Sequence, residues 1–254
     1  MTGVDISPLD VKKLAYLLVD GYWQVSVVQE IDSTQTYLAS KKPFHGEVIA
    51  AEFQSAGRGR LDRTFEAERS CSLLFSFYIE PQRNRDEWGW ISLIAGIALE
   101  RILNSEKEVF YTKWPNDILV VGSERDGKVA GILAEATSTG VIVGIGLNVA
   151  MTESELPVPT ATSLALVNIA QRDRNYYLSR FLVQFASLLA EWEEGADLVN
   201  DYSAHSSTLG KKVEVRGVGE VVESGIAESI GLFGELVLDG ARHIYSGDVI
   251  HLYT

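Results

Sequence analysis

Gln54-Ser55-Ala56-Gly57-Arg58-Gly59-Arg60-Leu61-Asp62-Arg63 joins two apolar runs, residues 47–53 and 73–79. Both runs read as strands, so the stretch between them predicts a strand-to-strand connection. Gly57 and Gly59 let the backbone approach a ligand closely. Arg58, Arg60 and Arg63 place permanent cations in the same connection. Loop N–H groups can form an anion-binding nest, and guanidinium forks suit carboxylates and phosphates. Taken alone, such a segment also reads as a basic surface loop; its meaning depends on the rest of the chain.

The chain has 254 residues, enough for one large domain with or without a small one. Asp and Glu number 35 against 22 Lys and Arg, a formal charge of −13. A field of that sign opposes general nucleic-acid binding but not a local cationic pocket for an ATP-like anion. Cys71 is the single cysteine, so no intramolecular disulfide can form, which suits a reducing cytoplasm. At the entrance to an apolar run, with no histidine nearby in sequence, it reads as a buried structural thiol. No apolar run reaches the roughly 18 residues of a membrane span, and no secretory signal is visible at the N-terminus.

Along the chain, Ser7-Pro8 followed by Leu9, Val11, Leu14, Leu17 and Leu18 predicts a capped helix that Gly21 ends. Residues 23–31 alternate as a strand, and Asp32-Ser33-Thr34 opens a short helix through Leu38. Apolar residues from Trp88 to Ile102 recur at helical spacing, with Gly96 suited to close packing. Residues 109–113, 118–121, 129–136 and 141–149 read as a strand meander with glycine turns. Pro157 and Pro159 mark a loop, and Ala161-Thr162-Ser163-Leu164 opens another short helix. Tyr177, Phe181, Phe185, Leu188 and Trp192 line one face of a longer helix. Residues 211–254 hold short β-rich runs at 213–216, 221–227, 235–238 and 249–253, the pattern of a small antiparallel barrel, with a boundary near 207.

Lys113-Trp114-Pro115-Asn116-Asp117 puts a cation, an amide and a carboxylate at a strand end. Lys128 starts a strand on the face opposite Val129, and Gly131 leaves room beside the backbone. Gly144-Ile145-Gly146-Leu147-Asn148 tolerates a ligand against its backbone. No phosphate-binding Gly-x4-Gly-Lys-Ser/Thr is present, and Gly144-Ile145-Gly146 lacks the third glycine of a dinucleotide fingerprint. His45, His205, His243 and His251 are scattered, without metal-ligand spacing. A nucleophile elbow is also missing.

In order, Asp32-Ser33-Thr34, Gln54 with Gly57–Arg60, Lys113–Asp117, Lys128 with Gly131-Ile132-Leu133, Gly144–Asn148 and Ser246-Gly247-Asp248-Val249 resemble the biotin–protein ligase family. The resemblance covers nearly all of the chain from Val25. One departure is visible: the family often has glycine where Asp62 stands.

The resemblance implies an α+β fold: a mixed β-sheet flanked by helices, of the class II aminoacyl-tRNA-synthetase and biotin ligase type. A small C-terminal Src-homology-3-like β-barrel would follow, giving units at 1–206 and 207–254. It implies ATP-dependent formation of biotinyl-5′-adenylate, with Mg²⁺ on the triphosphate, then transfer to a lysine of a biotin carboxyl carrier protein. Lys128, Arg58 and Arg60 would carry the chemistry. Ser33, Thr34, Gln35, Gln54, Gly59 and Gly131 would join them around biotin. Arg63, Lys113, Asn148 and Asp117 would face ATP and the adenylate, with no dedicated protein metal site. Some members carry an N-terminal helix-turn-helix domain, but the residues before Val25 are too few for one, so no specific DNA binding is expected. Homodimers through sheet edges are known in such a family, and the sequence does not decide this. A cytoplasmic location with no membrane contact is expected. A lipoate–protein ligase of the same fold, or a non-catalytic biotin sensor, are the competing readings.

Overall fold

Strands covered on both faces read as unbroken apolar runs rather than alternating ones. Glu47–Ala51 (β2) and Ser72–Ile79 (β3) are such strands, buried at every position. The computed structural model describes residues 7–19, 21–60, 63–217 and 222–252. Leu61, Asp62, Val221 and Tyr253, on which parts of the sequence reading rest, lie outside them.

The order of elements is Val11–Leu17 (α1), Gln24–Val28 (β1), Thr34–Ala39 (α2), β2, β3, Trp90–Asn104 (α3), Phe110–Lys113 (β4), Asp117–Val120 (β5), Gly127–Ala136 (β6), Val141–Asn148 (β7), Arg174–Glu193 (α4) and Val199–Ala204 (α5). The strands form one sheet ordered β1-β2-β3-β7-β6-β5-β4. β1 and β2 run parallel, and every other neighbouring pair is antiparallel.

Period-two alternation gives this sheet two different faces. Leu73, Phe75, Phe77 and Ile79, with Val141, Val143, Ile145 and Leu147, enter the main core under α3 and α4. Phe75, Phe77, Phe181 and Phe185 pack edge-on or stacked there. On the opposite face Ile49, Tyr78 and Ile142 pack with Leu38 of α2 in a much smaller cluster. The remaining positions of that second face hold glycines, polar residues and the leucines Leu74 and Leu133, and they form the site.

Lys212–Arg216 (β8), Val222–Ile230 (β9), Leu236–Leu238 (β10), Arg242–Ile244 (β11) and Asp248–His251 (β12) make a second, antiparallel sheet ordered β11-β10-β9-β8-β12. It is fastened to the first. Trp90 Nε1 donates to the Leu232 carbonyl (3.0 Å) and Trp114 Nε1 to that of Gly234 (3.0 Å). Both tryptophans are thus packing residues with one polar anchor each.

Several local expectations change. The N-cap of α1 is Asp10, whose carboxylate accepts from Lys12 N (2.8 Å), not Ser7. Ser7 instead presents its carbonyl to Arg174 (3.2 Å). Residues 161–164 form turns rather than a helix, because Thr162 N, Leu164 N and Ala165 N are bonded to Lys128 O, Asn148 O and Val149 O. Amides used at the sheet cannot also build a helix. Cys71 is half-buried rather than buried, and burial raises its thiol pKa. At Gly96 an added Cβ would meet Thr112 at an ordinary 3.5 Å, so close packing does not demand glycine there. α5 and β11 are too short to show a period in sequence.

Candidate active site

The second face of the sheet supplies the floor of one pocket. Ser76 pairs with Gly144 across β3 and β7, and Gly144 with Leu133 on β6; Leu74, Gly146 and Gly131 form the next row. Glycine in these rows leaves the backbone bare. A Cβ on Gly146 would lie 2.5 Å from the ring of Phe65, which covers this part of the floor. A Cβ on Gly131 would lie 3.2 Å from both Cε and Nζ of Lys128. The lysine stem therefore needs the missing side chain to reach its position.

α2 opens at one end of this floor. Ser33 is its N-cap, and its hydroxyl accepts from Thr36 N at 3.4 Å, as N-capping predicts. Thr34 donates from both N (2.7 Å) and Oγ1 (2.9 Å) to the Gln54 amide oxygen. It also shares a hydrogen bond with Ser76 Oγ at 2.8 Å. With its carbonyl engaged, Gln54 can turn its N–H donors toward a ligand. Gln35 Nε2 donates to Glu135 (2.9 Å) and the Ile142 carbonyl (3.2 Å). These groups form a compact polar end of a pocket lined by polar and apolar residues alike.

The arginine connection lies over this floor. Its neck is closed where Ser70 N donates to Glu52 O (2.9 Å). Within it Gly59 N donates to Arg63 O (2.7 Å) and Phe65 N to Gly57 O (2.9 Å), pairing residues 57–59 with 63–65. The three guanidinium groups go to different places. Arg58 forks onto Glu135 of β6 at 3.0 and 2.8 Å. Arg63 pairs with Asp248 of β12. Arg60 hydrogen-bonds a neutral partner, Asn116 Oδ1, at 3.3 Å. Burial pushes the pKa of Arg60 down, while Asp248 and Asp117 oppose that shift. An arginine remains charged under such a shift. Lys128 Nζ stands 2.6 Å from Asp117 Oδ1.

Eleven of the sequence-nominated residues line this one pocket: Ser33, Thr34, Gln35, Gln54, Arg58 and Gly59, then Arg60, Arg63, Asp117, Lys128 and Gly131. Two nominated residues stand elsewhere. Asn148 donates to the Thr162 carbonyl (3.0 Å) and is 5% exposed, so its amide is committed to holding the 161–165 turn. Lys113 is paired in register with Asp117 and lies outside the lining. Burial lowers its pKa, and Asp117 opposes that. Further lining residues were given no role in the sequence, among them Phe65, Ser76 and Asp248. Ser76 was findable as the lone serine in the apolar run 73–79. Asp248 stood in a motif of the resemblance, but its place in the pocket was not readable, because only the fold brings β12 to the arginine connection.

His251, also on β12, is half-buried. Burial, then the Lys113 and Lys211 charges, lowers its pKa to about 4. That is below the ordinary value of about 6.5, so neutral His251 adds stability above about pH 6.5 that is lost as pH falls toward 4. Between those limits the melting temperature of the wild type should fall more steeply with acidification than that of His251→Gln. Parallel curves would dismiss the effect.

A family model described as the biotin/lipoate A/B protein ligase family matches residues 27–151. The biotin–[acetyl-CoA-carboxylase] ligase of Mycobacterium tuberculosis is 37% identical over 96% of this chain and 96% of its own length. The bifunctional ligase/repressor BirA of Escherichia coli is 29% identical over 90% of this chain and 74% of its own. In structure, the biotin protein ligase of Aquifex aeolicus in complex with biotin and ATP superposes with a TM-score of 0.77 at 27% identity, covering 91% of this chain and 99% of that one.

Proposed function

This chain belongs to the biotin–protein ligase family, and on that premise we infer that it activates biotin with ATP and transfers it to a lysine of a biotin carboxyl carrier protein. The observation that carries the reading is the convergence, from seven separated segments, of a polar end, a bare-backboned floor and a set of cations in one pocket. The polar end, built from Ser33, Thr34, Gln54 and Ser76, suits a compact ureido group. The floor of Gly131, Leu133, Gly144 and Gly146 suits an apolar fused ring lying flat.

The first half-reaction brings a carboxylate to an anionic α-phosphate, so its barrier is largely charge repulsion and positioning. Arg60 and Lys128 are the cations we assign to the reacting oxygens. Arg58, Arg63 and Lys113 complete the positive surround, and Asn148 supports the pocket through the 161–165 turn. Mg²⁺ would supply charge to the phosphates of ATP, and Asp117 and Asp248 are the lining carboxylates that would face it. In the second half-reaction the carrier amine must shed a proton as it attacks the acyl carbonyl and AMP leaves. Asp117, alongside Lys128, is the carboxylate we assign to that proton.

We take residues 1–206 as the catalytic unit and 207–254 as the small β unit that closes the phosphate side. A net charge of −13 argues against specific DNA binding. Among the described residues no helix is long and apolar enough to cross a membrane.

Incubation with biotin, Mg²⁺-ATP and a carrier domain should add one biotinyl group per carrier, read by intact mass. Lipoate in the same assay should leave the carrier unmodified. Labelling with lipoate at the biotin rate would favour the lipoate reading, and no labelling with either would favour a sensor.

A further inference from the structure

We propose that Glu235 is a positioning residue: its carboxylate shapes the turn between β9 and β10, and that turn sets residues 114–117 at the edge of the pocket. The proposal rests on the reading of the pocket given above. It deepens that reading by naming what the small β unit does for the site.

Glu235 is 3% exposed, and a carboxylate buried so far needs partners. Its Oε2 accepts from Phe233 N at 2.8 Å, and its Oε1 from His243 Nδ1 of β11 at 2.8 Å. The backbone closes the same turn, with Gly231 N donating to Glu235 O (2.9 Å) and Gly234 N to Gly231 O (3.0 Å). Gly231 makes room for the carboxylate, because an added Cβ there would stand 2.1 Å from Oε1. Neither Glu235 nor the turn lines the active-site pocket.

The outer side of the turn meets the catalytic unit. The Leu232 and Gly234 carbonyls accept from the indoles of Trp90 and Trp114, each at 3.0 Å. Phe233 O approaches Gly89 so closely that a Cβ there would lie 2.2 Å away. The Leu232 carbonyl and the Phe233 N–H belong to one peptide plane, so the carboxylate that holds the second aims the first. The Gly234 carbonyl shares its plane with the N–H of Glu235 itself.

Trp114 passes this placement on. It is 2% exposed, and its own N donates to Thr208 Oγ1 at 3.1 Å. Two residues further, Asn116 is bonded to Ile132 of β6 in both directions, at 2.8 Å each. Asp117 stands beside Lys128, and both Asn116 and Asp117 line the pocket. A shift of the Trp114 indole therefore reaches the carboxylate assigned to the carrier amine. Thr34 and Gln54, assigned to biotin, belong to other segments.

The test uses the full chain. The indole N–H signals of Trp90 and Trp114 in proton–nitrogen spectra report the turn. In Glu235→Ala both should move and exchange faster with solvent, while circular dichroism stays that of the wild type. Transfer of biotin to a carrier domain should lose about ten- to a hundred-fold in kcat, the scale of a small misplacement. Biotin affinity, titrated calorimetrically without ATP, should stay that of the wild type. Glu235→Gln still offers an oxygen to Phe233 N and should restore both the signals and kcat. Gly231→Ala drives the carboxylate from its place and should reproduce the loss. Adding Glu235→Ala to it should cost nothing further, because both changes act through one contact. If Glu235→Ala does not fold, Gly231→Ala carries the same comparison. Unmoved indole signals, moved signals with wild-type kcat, an equal loss of biotin affinity, or an additive double variant would each refute the proposal. If the signals behave as stated while the wild type labels no carrier, the positioning stands and the assigned function falls.

Discussion

Lys128→Ala will form adenylate about 10²–10³-fold more slowly than the wild type, the usual loss when a preorganised charge is removed from a reacting centre. Pyrophosphate exchange driven by biotin measures it. The variant should remain folded, because Lys128 is partly exposed and its ion pair with Asp117 is worth at most about 1 kcal/mol. Biotin binding should suffer less than catalysis, because the ureido end is the part we assign to Thr34 and Gln54 rather than to this lysine. Lys128→Arg should not restore the rate. The lysine end lies close to Gly131, where an added Cβ would stand 3.2 Å from its Cε. A planar guanidinium spreads its charge over a rigid fork and would present it differently to the reacting oxygens. Exchange within twofold of wild type in Lys128→Ala would remove this residue from the chemistry.

The pocket was legible in sequence to the extent that it is built from strand periodicity. Gly131, Gly144 and Gly146 stand out as gaps in apolar runs, and alternation puts all three on one face. Cations near strand ends then have one place to converge. What stayed hidden are contacts between segments far apart in the chain. Arg63 meets Asp248 across 185 residues and Arg58 meets Glu135 across 77, and no local pattern says which carboxylate an arginine will choose. Asn148 has a further contact that no local pattern shows: its amide holds a turn whose N–H groups are bonded to the sheet. The Ser7 cap failed for a related reason: Ser7 and Leu9 are tied by their backbones to Arg174 and Glu52, and neither tie is visible in the local sequence.

That same pair sets the largest stability effect expected in the molecule. Arg174 is fully buried and Glu52 is 3% exposed, with Nη2 2.6 Å from Oε2. Glu52 also accepts from Leu9 N (2.7 Å) and Ser70 Oγ (2.8 Å), while Arg174 reaches the Ser72 carbonyl (3.4 Å). Burial opposes the charge on Glu52, but these hydrogen bonds and the guanidinium hold its pKa below the usual range. Arg174→Met would leave that carboxylate buried without its countercharge, at a cost of about 3–5 kcal/mol. The pH dependence separates this cause from simple loss of packing. In the wild type the depressed pKa gives stability that is present above the unfolded carboxyl value, about 4.3, and lost as pH falls through the folded one. In Arg174→Met the guanidinium no longer opposes burial, so the Glu52 pKa rises relative to that of the wild type and the variant loses less stability as pH falls. The gap between the two proteins in urea unfolding should therefore be wide at pH 7 and narrow toward pH 4.5. Adding Glu52→Gln should recover most of the loss, because the orphaned charge is then gone. A gap below about 1 kcal/mol at pH 7 would mean the pair is energetically idle. Glu52 and Ser70 also close the neck of the arginine connection, so the effect reaches the pocket. The neck is held by a buried charge pair, and the residues beyond it by the partly exposed pairs of Arg58 with Glu135 and Arg63 with Asp248.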